Sequence, residues 1–374
     1  MSKKIKNFKI QNYDNFKCIA DKCKFTCCAG WDVNVDDNTY NKWRECDKSY
    51  ILKNIINIDD EDEEQYFVNK ETRDVCPFLD KNGLCNIVKK DGEEYLSLTC
   101  KSFPRVENVF EDIKELTLSC ACPEVVEIIS NINEKINMVS EENYKFESNS
   151  KIFEIREMLV SIIQNNNFPL YKKLIICYEM ILNLIKSENI NKVLEVYKDK
   201  EYINELSYNY DEFDINIEEA IEEVKYLFLD ITQNYKDVIG LENSLKDIYE
   251  FAEDIDANSV NNSWKKYINE FEKYDNLIEN CIVSKIFSNC INDDIEEIAL
   301  SFELIILEYI LIRYAIFLKC CINKRNEVNI QDVKDYIVVF SRVISNNDEA
   351  VFEFLEEGFG HIILEYGYMR FIMM

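Results

Sequence analysis

From about residue 124 onward, apolar side chains recur three and four positions apart. Ile152, Ile155, Leu159, Ile162 and Ile163 form one stripe, and Leu174, Cys177, Ile181, Leu184 and Ile185 a second. That spacing places them on one face of a 3.6-residue helix, so each run predicts a helix with a buried side. Similar runs cover roughly 190–207, 218–235, 243–254, 262–290, 294–322, 330–345 and 348–357. Only Pro169 interrupts this half, and glycine is scarce before Gly358. The Asn-rich stretches at 164–167 and 261–262 read as turns. No repeat of fixed period and no alternation of strand with helix is visible.

The first third is patterned differently. Residues 1–17 read as a lead-in strand or loop anchored by Phe8, Ile10, Tyr13 and Phe16. Trp31 to Asp36 alternates apolar with polar, a short strand signal, and Thr39 is placed to cap a helix through Tyr40, Trp43 and Cys46. The acidic run at 59–64 predicts an exposed loop, since six like charges repel. Asp80-Lys81-Asn82-Gly83 is a turn signature, so Cys76 and Cys85 face each other across a hairpin. Residues 86–100 predict a short helix that returns Cys100, and Leu116 to Cys122 a short apolar strand or turn. Pro123-Glu124 opens the next helix at a position that suits proline. The expected architecture is mainly α: a small irregular cysteine-rich, metal-binding region with short strands over 1–125, then a large all-helical domain over 126–374.

Composition sharpens the contrast. The chain has 374 residues and 15 cysteines, ten of them before residue 123. No 18-residue stretch lacks charge, so no membrane span is expected, and the start has no apolar signal-peptide core. A reducing cytoplasmic setting follows, where so many thiols point to metal rather than disulfides. The net charge of −28 makes nucleic acid and anionic lipid poor partners. A cationic ligand or a lysine-bearing protein suits such a surface, although acidity also serves solubility alone.

The cysteines run Cys18-x4-Cys23-x3-Cys27-Cys28, Cys76-x8-Cys85-x14-Cys100 and Cys120-x-Cys122. Thiolates so grouped are soft ligands that select zinc or iron–sulfur clusters. The spacing is neither that of a zinc ribbon nor the three-cysteine pattern of radical adenosylmethionine enzymes. Ten thiols exceed one site, leaving room for a second site or for structural thiols, and Cys46 ranks last among them. Cys177, Cys281, Cys290, Cys320 and Cys321 sit on apolar helix faces and read as small hydrophobes. No glycine-rich loop follows a predicted strand, so no Rossmann-type nucleotide site is visible.

Several motifs carry a resemblance. They are Tyr13…Phe16-Lys17-Cys18-Ile19, Cys23, Thr26-Cys27-Cys28-x-Gly30-Trp31, Cys76-Pro77-Phe78-Leu79, Gly83-Leu84-Cys85, Thr99-Cys100-x-x-Phe103-Pro104-Arg105 and Cys120-x-Cys122-Pro123-Glu124. Over about 8–125 the chain resembles the flagellin lysine-N-methylase family, and its first part also resembles a broader family of cysteine-cluster proteins that chelate zinc or iron. The first resemblance implies methyl transfer from S-adenosylmethionine to surface lysines of flagellin. It also implies an iron–sulfur cluster, [4Fe–4S], held by N-terminal cysteines, with zinc as the alternative metal. The ligand set is expected among Cys18, Cys23, Cys27, Cys28, Cys76, Cys85, Cys100, Cys120 and Cys122. The second resemblance implies a non-enzymatic chelating module with a helical interaction domain.

Methyl transfer to an amine needs a neutral nitrogen in line with the sulfonium methyl, so orientation and a proton acceptor matter most. The run 295–322 is apolar almost all round yet carries Glu303, Glu308 and Arg313. Buried charges are seldom left unpaired, so one expectation is a pair between Arg313 and either glutamate. The other is that Glu308 or Glu303, with Tyr309 beside it, faces a cleft and receives the substrate ammonium or the cofactor's amino group. Arg313, Arg342 and Arg105 are then candidate anchors for the cofactor carboxylate or for the cluster's charge; a solvated face is the plainer reading of Arg342. His361 is the sole histidine. It is expected to be a packed or surface group, and its solitude excludes multi-histidine metal sites and serine–histidine triads elsewhere.

Overall fold

The computed structural model describes residues 5–60, 63–70, 75–140, 150–211 and 215–373. Seven strands lie near the N-terminus: β1 Lys6–Ile10, β2 Asn34–Val35, β3 Ile55–Asp60, β4 Glu63–Val68, β5 Arg105–Phe110, β6 Ile113–Leu118 and β7 Met138–Ser140. The helices between them are α1 Asp37–Glu45, α2 Ser49–Leu52, α3 Asn86–Asp91, α4 Leu98–Ser102 and α5 Pro123–Ser130. The rest is helical: α6 Lys151–Ile163, α7 Leu170–Ile185, α8 Ile190–Lys198, α9 Lys200–Asp211, α10 Ile217–Thr232, α11 Glu242–Asp254 and α12 Ala257–Phe271. Then follow α13 Asp275–Asn289, α14 Ile295–Ile322, α15 Ile330–Val343, α16 Asp348–Phe359 and α17 Tyr366–Ile372. The protein is mainly α, as expected. No described helix is long and apolar enough to cross a membrane.

The centre is α14. It starts at an Asp294 cap, whose carboxylate accepts the Glu296 N–H at 2.9 Å, and it is buried on all sides from Ile298 to Leu318. A helix apolar all round must be surrounded, and α7, α10, α11 and α15 do this. The large core does not part at residue 125. Phe8, Ile10, Phe16, Phe25, Ile113 and Leu118 belong to the same cluster as the helical side chains.

A four-stranded sheet, in the order β5-β6-β1-β7 with β1 parallel to β6, carries Phe8, Ile10, Ile113 and Leu118 and packs on α13. Polar groups lock the joint. Arg156 on α6 grips Glu115 of β6 with both guanidinium ends, at 2.6 and 2.8 Å, and both residues are buried. Asn108 donates to the carbonyls of Phe287 and Ser288, and the Thr117 and Ser288 hydroxyls meet at 2.9 Å.

A second, small core stands apart. Val33, Val35, Trp43, Ile51, Val68, Phe78 and Ile87 fill it, beneath a sheet in the order β2-β4-β3. Here Asp36, not Thr39, caps α1; its carboxylate accepts the Thr39 N–H at 3.0 Å and the Leu98 N–H at 2.8 Å. The acidic run is not a free loop. Backbone pairing continues through Asp59↔Glu64 and Asp60↔Glu63, because the register is set lower down at Ile56↔Phe67; residues 61–62 lie outside the described ones.

Other boundaries moved as well. The expected helix over 86–100 breaks at Gly92, whose φ of +99° suits glycine, into α3, a single 3-10 turn and α4. The run 190–207 divides at Asp199 and 262–290 divides at a 3-10 turn over Glu272–Tyr274. Asn261-Asn262, expected as a turn, lies inside α12. Strand β7 and helix α17 were not foreseen.

Candidate functional site

The thiols are gathered by backbone pairing between distant segments. Cys28 and Cys76 meet because the Cys76 N–H donates to the Cys28 carbonyl at 2.7 Å, beside an antiparallel bridge between Ala29 and Val75. Their thiols share a hydrogen bond, and Cys27 hydrogen-bonds Cys28. The Asp80 carboxylate closes the turn before Cys85 by accepting the Asn82 and Leu84 N–H groups at 2.8 and 3.0 Å, and Leu79 bridges Cys85. Ser97 caps α4, accepting the Cys100 N–H at 3.3 Å. Cys100 thereby comes within electrostatic reach of Cys27, Cys76 and Cys85. Gly30 turns the chain away at φ +79°, tight against Leu241.

Other cysteines fall elsewhere. Cys23 and Cys122 lie within electrostatic reach of each other. Cys120 faces the opposite way from its neighbour Cys122, and its buried thiol hydrogen-bonds Cys281 of α13. Cys18 is exposed and accepts only the Ala20 N–H, at 3.4 Å; Cys46 is exposed beside the Tyr95 hydroxyl. Among the described residues, no three Cys, His, Asp or Glu side chains are set around one point as a single ion requires.

Crowding shows in the thiol acidities. The Cys27 hydrogen bond lowers Cys28, but the Cys76 hydrogen bond and burial outweigh it and push Cys28 up to about 12. Burial, helped by Cys23, takes Cys122 up to about 12, and burial with Cys27 and Cys85 raises Cys100, while the Cys28 hydrogen bond lowers Cys76. Sulfurs this close do not all ionise unless a cation sits among them.

Two cations flank the sulfurs. Arg342 of α15 donates to the carbonyls of Phe25, Thr26 (2.6 Å) and Ala121 (2.9 Å), and the Lys70 ammonium donates to the Trp31 carbonyl. Burial lowers both pKa values. Asn347, just beyond α15, donates to the Gly30 carbonyl at 3.3 Å and the Arg342 carbonyl at 2.7 Å.

The structure does not bring the expected catalytic and cofactor residues into one site. Glu308 accepts from Lys285 at 2.5 Å, and also from Ser341 and Ser345; the first three are buried and Ser345 is half-buried. Glu303 accepts from the Tyr178 hydroxyl at 2.8 Å and the Leu364 N–H at 3.0 Å, and burial pushes it up to about 7. Arg313 packs 5.1 Å from the Trp264 ring and 5.8 Å from the Tyr309 ring. The expected pairs of Arg313 with Glu303 or Glu308 are therefore not formed. Five residues along an α-helix turn the side chain by about 140°, so positions 303, 308 and 313 look out in three directions. Tyr309 turns away from Glu308 toward Phe271. Arg342 is buried at the cysteine segments rather than solvated. Arg105 is exposed and stacks on Phe16 at 4.9 Å, and His361 lies on the surface.

Two clefts lie in the helical part. One of about 560 Å³ is lined by Asn133, Lys135, Phe168, Lys173, Asp275 and Glu279. Glu279 holds both lysines, while Asp275 accepts the Leu170 N–H at 3.1 Å and burial pushes it up to about 7. The other, of about 410 Å³, is bounded by Glu179, Asn183, Lys186 and Tyr366. Sequence reading missed Lys285, Glu279 and Asp275. The signal was present: charges set in the apolar run of α13, the same anomaly that singled out α14.

Comparison with known proteins bears on the helical part most directly. The family described as FliB lysine N-methylase C-terminal domain matches residues 156–372, more than half of the chain. The chain is 32% identical over 122 residues to the flagellar biosynthetic protein FliU of Salmonella muenchen, covering 31% of this chain and 72% of that protein. It is 31% identical over 121 residues to a lysine-N-methylase of Salmonella typhimurium, and 31% identical over 122 residues to one of Salmonella choleraesuis. Those matches span 31% of this chain and only 30% of either lysine-N-methylase. No solved structure matches. The chain belongs to the FliB lysine N-methylase family.

Proposed function

We propose that this protein is an S-adenosylmethionine-dependent protein-lysine N-methyltransferase that acts in the cytoplasm on surface lysines of flagellin. The observation that carries this reading is the family match across 156–372. The relatives named lysine-N-methylase and flagellar biosynthetic protein support the reaction and the flagellar substrate. For the amine, the cleft at Asp275 and Glu279 is the proposed entry. A carboxylate that titrates near neutrality is suited to accept the proton that a lysine must lose before it attacks.

An iron–sulfur cluster is part of the proposal, with Cys27, Cys28, Cys76, Cys85 and Cys100 as the group from which its ligands come. Thiols of three separate segments converge there, and two buried cations face them. A polynuclear cluster spreads its thiolates more widely than one ion does, so convergence on a single point is not what it asks of the chain. When bound, it would supply a compact anionic centre that ties residues 27–28 to 76–100. Cys120, turned toward Cys281, is left out of this set.

The test is incubation of anaerobically purified protein with flagellin and methyl-labelled S-adenosylmethionine. Label on flagellin lysines, abolished by Asp275→Asn, is the expected result. Label absent while iron and sulfide are bound would remove the methylase reading and leave a chelating module.

A further inference from the structure

The sulfur region is flanked by two buried cations, and one of them, Arg342, has no carboxylate partner among the described residues. Arg342 is 1% exposed, and among the described residues it forms no ion pair with a carboxylate. Its three recorded hydrogen bonds all go to backbone carbonyls, of Phe25, Thr26 and Ala121. Carbonyls orient a guanidinium but do not neutralise it. The groups within its electrostatic reach are Cys23, Cys27, Cys28 and Cys122. On the other side, Lys70 is 9% exposed, donates to the Trp31 carbonyl, and stands within electrostatic reach of Cys76, Cys28, the Asp32 carboxylate and Cys100. A buried cation without a counter-ion is strongly disfavoured.

We infer that Arg342 and Lys70 are positioning residues of the sulfur centre: they hold its two main segments in place and act as counter-ions to negative charge carried on the sulfurs. Arg342 does so from the helical body. One side chain of α15 fixes the segment before Cys27-Cys28 and the residue between Cys120 and Cys122, so the body that holds the proposed cleft also sets the spacing of the thiols. A set of neutral thiols would leave Arg342 unmatched and Lys70 with the Asp32 carboxylate alone. An anionic metal–thiolate centre matches them, and in this respect the inference rests on the reading given above.

Arg342→Met, Arg342→Lys and Lys70→Met test it in the full chain, with Co²⁺ as a probe read through its thiolate charge-transfer band and with reconstituted iron read through its midpoint potential. Amide exchange at 25–28 and 120–122 follows position separately. Loss of an outer-shell partner of this kind weakens metal binding by about 10–100-fold, and that is expected for Arg342→Met. Its midpoint potential should fall, since removing a cation disfavours added negative charge. Arg342→Lys should recover most of the affinity and potential but not the exchange protection. Lys70→Met should weaken Co²⁺ binding without loosening 120–122, and it carries the charge argument if Arg342→Met does not fold. Wild-type Co²⁺ affinity and potential in both methionine variants would overturn the inference. So would a wild-type chain that takes up neither metal, since its cations would then face neutral thiols. Lysine methylation is measured apart from these readouts, so its absence would count against the enzymatic reading alone.

Discussion

The two cores of this protein are built on different principles. The large one surrounds α14 with apolar side chains from the sheet and from nearly every later helix. The small one has seven fully buried apolar residues, and around it stand thiols, caps and turn hydrogen bonds. Apolar burial is the main stabiliser of the first. The second is too small to depend on apolar area, and small units of that kind lean on disulfides or metal. The comparison teaches where sulfur is needed: the cysteines crowd where the hydrophobic core is thinnest.

The joint between the regions offers the largest effect. Arg156→Met strands Glu115 in the core, and loss of one partner of a buried pair costs about 3–5 kcal/mol. Denaturant titration should show the four-stranded sheet and the helices weakened together, because β6 belongs to the large cluster; loss of the sheet alone would contradict the shared-core description. Next come matched truncations. Leu311→Ala in α14 should cost about 3–5 kcal/mol and lower the global melting temperature. Ile87→Ala should cost somewhat less, and its effect in amide exchange should stay within residues 33–100.

Glu303 sharpens the large core's side of the comparison by its pH dependence. Its carboxyl titrates near 7 in the fold, above its ordinary value of 4.5. A raised carboxyl favours the folded state when protonated, so its contribution is full below about pH 4.5 and is lost as pH rises through about 7. Glu303→Gln should therefore be more stable than the native protein at pH 8, by up to about 3 kcal/mol, and no more stable at pH 4. Equal melting temperatures at both pH values would contradict the shift. The smallest effect belongs to the small region. Gly30→Ala places a Cβ at positive φ and 3.1 Å from Leu241, and about 1–2 kcal/mol is expected, read by thermal melting.

Much of the fold was legible beforehand because a helix writes its period into the chain. The stripes at 152–163 and 174–185 became α6 and α7, and Pro123 opened α5 as its missing N–H requires. Breaks inside long apolar runs were not legible. Nothing in the period separates α12 from α13, since both sides of the turn bury apolar residues. The site was legible in kind but not in detail. Clustered cysteines pointed to sulfur chemistry, yet the turn over 120–122 sends Cys120 to Cys281 and Cys122 toward Cys23. Glu308 stood out as a charge in an apolar helix, but its partner, Lys285, lies on a different helix.

Residue order by itself determined which segments are helical, which face each buries, and that sulfur gathers at one end. Those properties depend on neighbours three or four positions away and on composition. Tertiary structure decided which thiols meet, which charges pair and which are left without counter-ions. Those outcomes depend on contacts between residues as far apart as Phe25 and Arg342, which no local period encodes.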